Sequence, residues 1–138
     1  KITNTKLKMN LTDNFKLIEF ACKDGSQVPN EFLPNVKKLA TNLQVLRNQL
    51  EKPIVINSAY RTPKYNASVG GAKSSQHLTA SAADIRINGY DPILVYETIL
   101  KLIKEGKLHN GGVGLYNTFV HYDVRSTPAR WNYSNNKV

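Results

Sequence analysis

The chain has 138 residues, the size of one ordinary domain, and its 41% hydrophobic, 21% charged and 9% aromatic composition excludes a disordered or low-complexity chain. Lysine and arginine number 19 against 10 acids, a net charge of +9 that favours polyanionic partners such as nucleic acid, anionic lipid or an anionic wall polymer. The basic residues are scattered singly or in pairs such as Lys37-Lys38, which argues against specific nucleic-acid binding. A single cysteine, Cys22, excludes an internal disulfide and a cysteine-rich metal site. No apolar run approaches the ~20 residues of a membrane helix.

In chain order, residues 1–12 read as a basic, polar arm, and 13–138 as one domain. The chain opens on Lys1, and Lys1 to Thr12 lacks the continuous apolar core of a secretory signal. Phe15 to Cys22 reads as one or two helical turns. Pro34 to Leu50 is the clearest helix, with Val36, Leu39, Leu43, Leu46 and Leu50 on one face and Lys37, Lys38, Asn42, Arg47 and Asn48 toward water. Pro53 to Tyr60 reads as a strand, followed by a polar loop from Thr62 to Ser75 and a second strand from Ala80 to Ile87. Asp91-Pro92 opens a helix whose apolar stripe is Leu94, Val95, Ile99, Leu102 and Ile103, ended by Gly106. Gly111 to Tyr116 and Phe119 to Arg125 complete the expected strands. This order predicts an α+β fold: a mainly antiparallel sheet with two amphipathic helices packed on it.

Two histidines stand near acids. Strand alternation puts Ala80, Ala82, Asp84 and Arg86 on one face, with room beside the carboxylate, and Ile85 and Ile87 on the other. It also puts Phe119, His121, Asp123 and Arg125 on one face. His77 precedes Asp84 by seven residues, an odd offset, so the two converge only if the chain bends near Leu78 to Ala80. If the two strands are neighbours, His77, Asp84 and His121 meet as a zinc-type ligand set with a position left for water. Asp123 is then the candidate general base. From composition alone the plainer alternative leads: polar histidines at strand ends and an aspartate in a loop hydrogen bond.

The segment Ser75-x-His77-x-x-Ala80-x-Ala82-x-Asp84, with His121 following on a strand, resembles the zinc D-Ala-D-Ala carboxypeptidase and murein endopeptidase family, kin to lysostaphin-type peptidases and the Hedgehog domain. Ser58-Ala59-Tyr60-Arg61 is similar to the family's Ser-x-Tyr-Arg stretch. The Phe119-Val120-His121-x-Asp123 run, the preceding Gly111 to Tyr116 stretch and Glu19 to Cys22 resemble a branch of small bacterial and phage murein peptidases. The resemblance runs from about Phe15 to Trp131. It implies one Zn2+ ion in a cleft on the sheet, held by His77, Asp84 and His121. Arg61 is implied as the arginine that steadies substrate carboxylate or carbonyl groups, a task for a planar fork. Ser75 and Gln76 are candidates to line the pocket, and Tyr60, Tyr116 and Trp131 to wall a peptide groove. The implied activity is hydrolysis of peptidoglycan stem peptides at the bacterial wall, by a monomer that is secreted, periplasmic or phage-delivered. The rival is a non-catalytic virion or wall-binding module that keeps the zinc fold and would have other virion proteins as partners.

Two positions depart from the family pattern. The signature glycine is Ala80, which strains the turn if that residue needs a positive φ. Thr118 stands where many relatives carry a catalytic acid, three residues before the final histidine. The base role therefore passes to Asp123 or His109, or is absent. Asp123 can equally hold a ligand imidazole in place. His109 is expected to be an exposed loop residue.

Overall fold

The computed structural model describes residues 9–135. Residues 1–8 of the expected arm lie outside them. The remainder of the arm is tied down: the Leu17 amide donates to the Met9 carbonyl at 2.9 Å, and Thr12 Oγ1 donates to Gln44 Oε1 at 2.8 Å.

Among the described residues, three helices and five strands are formed: α1 (Leu33–Leu50), β1 (Val55–Ser58), α2 (Pro63–Ser68), β2 (Ala82–Arg86), α3 (Pro92–Lys104), β3 (Gly112–Leu115), β4 (Val120–Asp123) and β5 (Ala129–Asn132). Short 3-10 turns occupy Leu17–Phe20, Asn30–Phe32 and Gln76–Thr79. The sheet order is β1-β2-β4-β3-β5, antiparallel throughout except that β5 runs parallel to β3. The expected α+β architecture with a mostly antiparallel sheet is therefore the observed one.

The two long helices, α1 and α3, form where periodicity put them. Pro34 sits in the first turn of α1, where its missing N–H costs nothing. Val36, Leu39, Ala40, Leu43 and Leu46 are buried in one hydrophobic cluster with Ile85 of β2 and Ile99 and Leu102 of α3. Asp91 caps α3 by accepting the Ile93 amide at 3.1 Å. Leu94, expected in the stripe of α3, is 51% exposed, and Tyr96 is buried in its place. The buried face of α3 is thus Val95, Tyr96, Ile99 and Leu102.

Two elements depart from the expected outline. The loop from Thr62 holds α2, started by Thr62, whose hydroxyl accepts the Tyr65 amide at 3.1 Å. The segment after Arg125 adds β5 at the sheet edge.

One cross-strand row decides the rest. Ser58 pairs with Asp84, Asp84 with His121, His121 with Gly114, and Gly114 with Trp131, so one row of side-chain positions crosses all five strands. One step along, Ala82, Asp123, Gly112 and Ala129 form a parallel row. Ile85 faces the helices, so period-two alternation sends Asp84 to the opposite face. The small residues in both rows leave space there.

Candidate functional site

The odd offset between His77 and Asp84 is absorbed by the predicted bend. His77 lies in the 3-10 turn Gln76–Thr79, opened by Ser75, whose hydroxyl accepts the His77 amide at 3.1 Å. The turn closes at Ala80, which has φ 58° and is 1% exposed. A left-handed alanine is strained by roughly 1 kcal/mol, so the glycine of the family pattern would sit there without that cost. From this turn His77 points back over β2.

Three donor atoms converge. His77 Nε2 lies 3.3 Å and His121 Nδ1 3.0 Å from the same Asp84 oxygen, Oδ1. The three residues are buried, and their ligand atoms lie within 4.8 Å of one another. The outer nitrogen of each ring is held from behind. His77 Nδ1 is 2.6 Å from the Ala59 carbonyl oxygen, and His121 Nε2 is 2.6 Å from Asp123 Oδ2. Each outer nitrogen meets an acceptor, so it must carry the proton, and the inner nitrogens His77 Nε2 and His121 Nδ1 can present lone pairs to one point. Two imidazoles, each with its outer nitrogen hydrogen-bonded, and one carboxylate form a donor set that fits a divalent metal ion.

The electrostatics agree. Burial pushes the Asp84 carboxyl up, but the His121 and His77 rings outweigh it and hold it well below the usual carboxylate range. Asp123 is likewise held low, against burial, by His121 and Arg125. Burial disfavours the charged His121 ring, yet Asp123 and Asp84 together raise its pKa above the ordinary value.

Arg61 leaves β1 beside the group. Its amide donates to the His77 carbonyl at 2.9 Å, and its Nη2 approaches Asp84 Oδ2 at 3.4 Å. Nε donates to Ser58 Oγ, and Nη1 to Asn66 Oδ1, each at 3.2 Å. Asn66 is 4% exposed and anchors the following loop by donating to the Ala72 carbonyl at 2.9 Å. Sequence reasoning passed over it because α2 was read as loop.

The group opens into a groove of about 660 Å³. The Gly70 to Gln76 loop forms one wall, and Tyr116, Phe119, Trp131 and Tyr133 form the other. Tyr116 stacks on Phe119 with ring centroids 4.3 Å apart, and Trp131 Nε1 donates to the Tyr116 hydroxyl at 3.0 Å. Of the expected lining residues, Arg61, Ser75, Gln76, Tyr116 and Trp131 border the groove. Tyr60 does not: it is 6% exposed and packs against Phe32 in the core. Tyr60 follows the end of β1, and its amide donates to the Phe20 carbonyl at 3.0 Å, outside the strand ladder.

Asp123 is fully buried, and both oxygens are engaged. Oδ1 accepts the Gly112 amide and Arg125 Nε, each at 2.9 Å, while Oδ2 accepts Arg125 Nη2 at 2.7 Å besides His121. Of the two roles left open for Asp123, this arrangement favours holding the imidazole over moving a proton in the groove. His109, expected to be exposed, is half-buried, with its Nε2 2.7 Å from the Arg125 carbonyl oxygen. Thr118 is exposed in the β3–β4 connection and does not border the groove.

No curated protein matches the chain. The family pattern described as Peptidase M15 does, over residues 13–123, and that span carries the whole His77, Asp84 and His121 group. The chain belongs to the Peptidase M15 family.

Proposed function

We propose that this protein is a zinc-dependent peptidase that hydrolyses peptide bonds of bacterial peptidoglycan, acting as a monomer at the cell wall as an endopeptidase or D,D-carboxypeptidase. A phage lysin or virion-borne hydrolase is the setting we favour. The observation that carries the reading is the convergence of His77 Nε2, Asp84 Oδ1 and His121 Nδ1, with the outer ring nitrogens held by Ala59 and Asp123. Bound there, zinc would supply Lewis acidity, lowering the pKa of water toward ~7 and polarising a carbonyl oxygen. The chain's own residues set the rest. Arg61 borders the groove with a guanidinium already anchored by Ser58 and Asn66, placed to hold a substrate carboxylate or carbonyl. Arg125 adds a second cation, and Asp84 is the one carboxylate among the described residues that border the groove. That balance suits stem peptides rich in carboxylates. Asp123 orients His121, Ser75 stiffens the turn that carries His77, and Tyr116 and Trp131 wall the peptide path.

A second reading has one observation in its favour. Asp84 is committed to the metal group and Asp123 is sealed off, so no unengaged carboxylate borders the groove among the described residues. A non-catalytic wall-binding module would look the same. One experiment separates the two: protein stripped by a chelator and reloaded with zinc is incubated with purified peptidoglycan, and the muropeptides are read by mass spectrometry. New peptide termini that appear only with zinc are expected. Zinc uptake and wall retention without cleavage would replace the enzyme with the binding module.

Proton competition gives a further expected result. In the metal-free protein the raised pKa keeps His121 protonated above its unfolded value of ~6.5. Zinc must displace the Nδ1 proton, so affinity should climb by up to about tenfold per pH unit as pH rises toward the raised pKa, then level off. Metal-free stability should run oppositely at that end. The His121 contribution is complete below ~6.5 and is lost as pH rises through the folded pKa, whereas those of Asp84 and Asp123 are complete above ~4 and are lost on acidification. Chelator competition and thermal melts across this range check both signs.

A further inference from the structure

Residues 121, 123 and 125 alternate on one face of the last β-hairpin strand and its extension, so their side chains stand side by side. His121 offers Nε2 to Asp123 Oδ2 at 2.6 Å. Arg125 grips the same carboxylate from the far side, with Nε on Oδ1 at 2.9 Å and Nη2 on Oδ2 at 2.7 Å. Its own amide also donates to Oδ1, at 3.1 Å.

A single donor lets a carboxylate swing about the Cβ–Cγ bond. A planar fork on both oxygens does not, because it fixes the carboxylate plane. That plane sets where Oδ2 points, hence the tilt of the His121 ring, and hence the aim of Nδ1 at Asp84 Oδ1. The surroundings hold Arg125 in turn. Its guanidinium carbon lies 5.4 Å from the Trp131 ring centroid, and the Trp131 ring lies 5.0 Å from that of His121. Trp131 reaches this position because Gly114 has no side chain: a Cβ there would stand 2.1 Å from the indole nitrogen. Both Arg125 and Trp131 lie beyond residues 13–123, the span shared with the family pattern.

We infer that Arg125 is a positioning residue for metal binding: it acts through Asp123 to fix the His121 ring, with Trp131 covering it from β5. The inference rests on the metal reading of His77, Asp84 and His121 and goes one shell beyond it.

The test measures zinc dissociation constants of the whole chain by competition with a chromophoric chelator, alongside metal-free melting curves. Arg125→Ala should weaken zinc binding by on the order of 10- to 100-fold, the usual effect of losing an outer-shell partner. Arg125→Lys should recover part of this loss and no more, since an ammonium grips one oxygen. In an Asp123→Asn background, Arg125→Ala should add less than about threefold, because two residues acting in series do not add. If Arg125→Ala is too unstable to assay, Arg125→Lys and Arg125→Gln carry the comparison. Zinc affinities within about twofold of wild type would overturn the inference. So would full additivity with Asp123→Asn, or a raised KM at unchanged zinc affinity, which would make Arg125 a substrate contact. These failures leave wild-type zinc binding intact. Absence of zinc binding by the wild type would instead remove the metal reading, and this inference with it.

Discussion

Replacing His77 by alanine should abolish both zinc retention and wall-peptide cleavage while leaving the sheet folded. His77 supplies one of three converging donors, and its ring is fixed by a 2.6 Å contact to the Ala59 carbonyl rather than by the sheet ladder. If the metal contributes about 4 kcal/mol of transition-state stabilisation, its loss lowers the rate by about 10³-fold. Metal content after dialysis and the rate of muropeptide release are the two readouts. The fold should survive because His77 belongs to a 3-10 turn flanking the core, with a cost limited to one orphaned acceptor, about 1–3 kcal/mol. His109→Ala is the matched control. That ring does not border the groove, so zinc content should stay at the wild-type level. Wall cleavage that persists in a zinc-free His77→Ala protein would refute the proposed chemistry.

Gly112→Ala should be among the most damaging single-methyl additions in the chain. The new Cβ would stand 2.3 Å from Asp123 Oδ2 and 2.7 Å from Arg125 Nε, inside the contact distance of either atom. Neither can retreat cheaply, since the Asp123 carboxylate is fully buried and bonded on both oxygens. Overpacking of this kind costs about 2–3 kcal/mol, or a fall in Tm of roughly 5–15 °C for a domain of this size. Zinc affinity should fall with it, because the displaced carboxylate takes the His121 ring along. Gly106→Ala makes the useful contrast. Nothing stands within 4 Å of its Cβ, and the cost there comes from φ +75° alone, about 1 kcal/mol. A Gly112→Ala protein as stable as Gly106→Ala would mean that the space around Asp123 is softer than the packing implies.

Much of the architecture could be read from periodicity, and the exceptions have physical causes. The stripe Val36, Leu39, Leu43 and Leu46 announces α1 because burial on one face repeats at helical spacing. The cap and proline at Asp91-Pro92 mark the start of α3 for equally local reasons. Six residues of α2, mostly polar and exposed, leave no such periodicity. In β5, half-buried and exposed residues alternate at a sheet edge, so little apolar signal survives. The site divides in the same way. The bend between His77 and Asp84 followed from counting alternations, and the turn closed by Ala80 supplies it. Asn66 and Arg125 escaped notice because their importance depends on partners. Asn66 matters only once Arg61 lies against it, and Arg125 only once the Asp123 carboxylate is sealed between it and Gly112. The 121, 123, 125 alternation was visible, but a fork aimed at a buried carboxylate was not.

The row from Ser58 through Asp84, His121 and Gly114 to Trp131 also sets an order of events in the life of the chain. Its members span residues 58 to 131, and the pairing that brings His121 beside Asp84 joins strands 37 residues apart in sequence. Such long-range closures are the slow steps of folding. A nascent chain therefore emerges from the ribosome with two of the three converging side chains, His77 and Asp84, that have nothing to close on until His121 follows. On the proposed reading, metal capture would then be one of the last acts of maturation, and the site would stay silent until the sheet is complete.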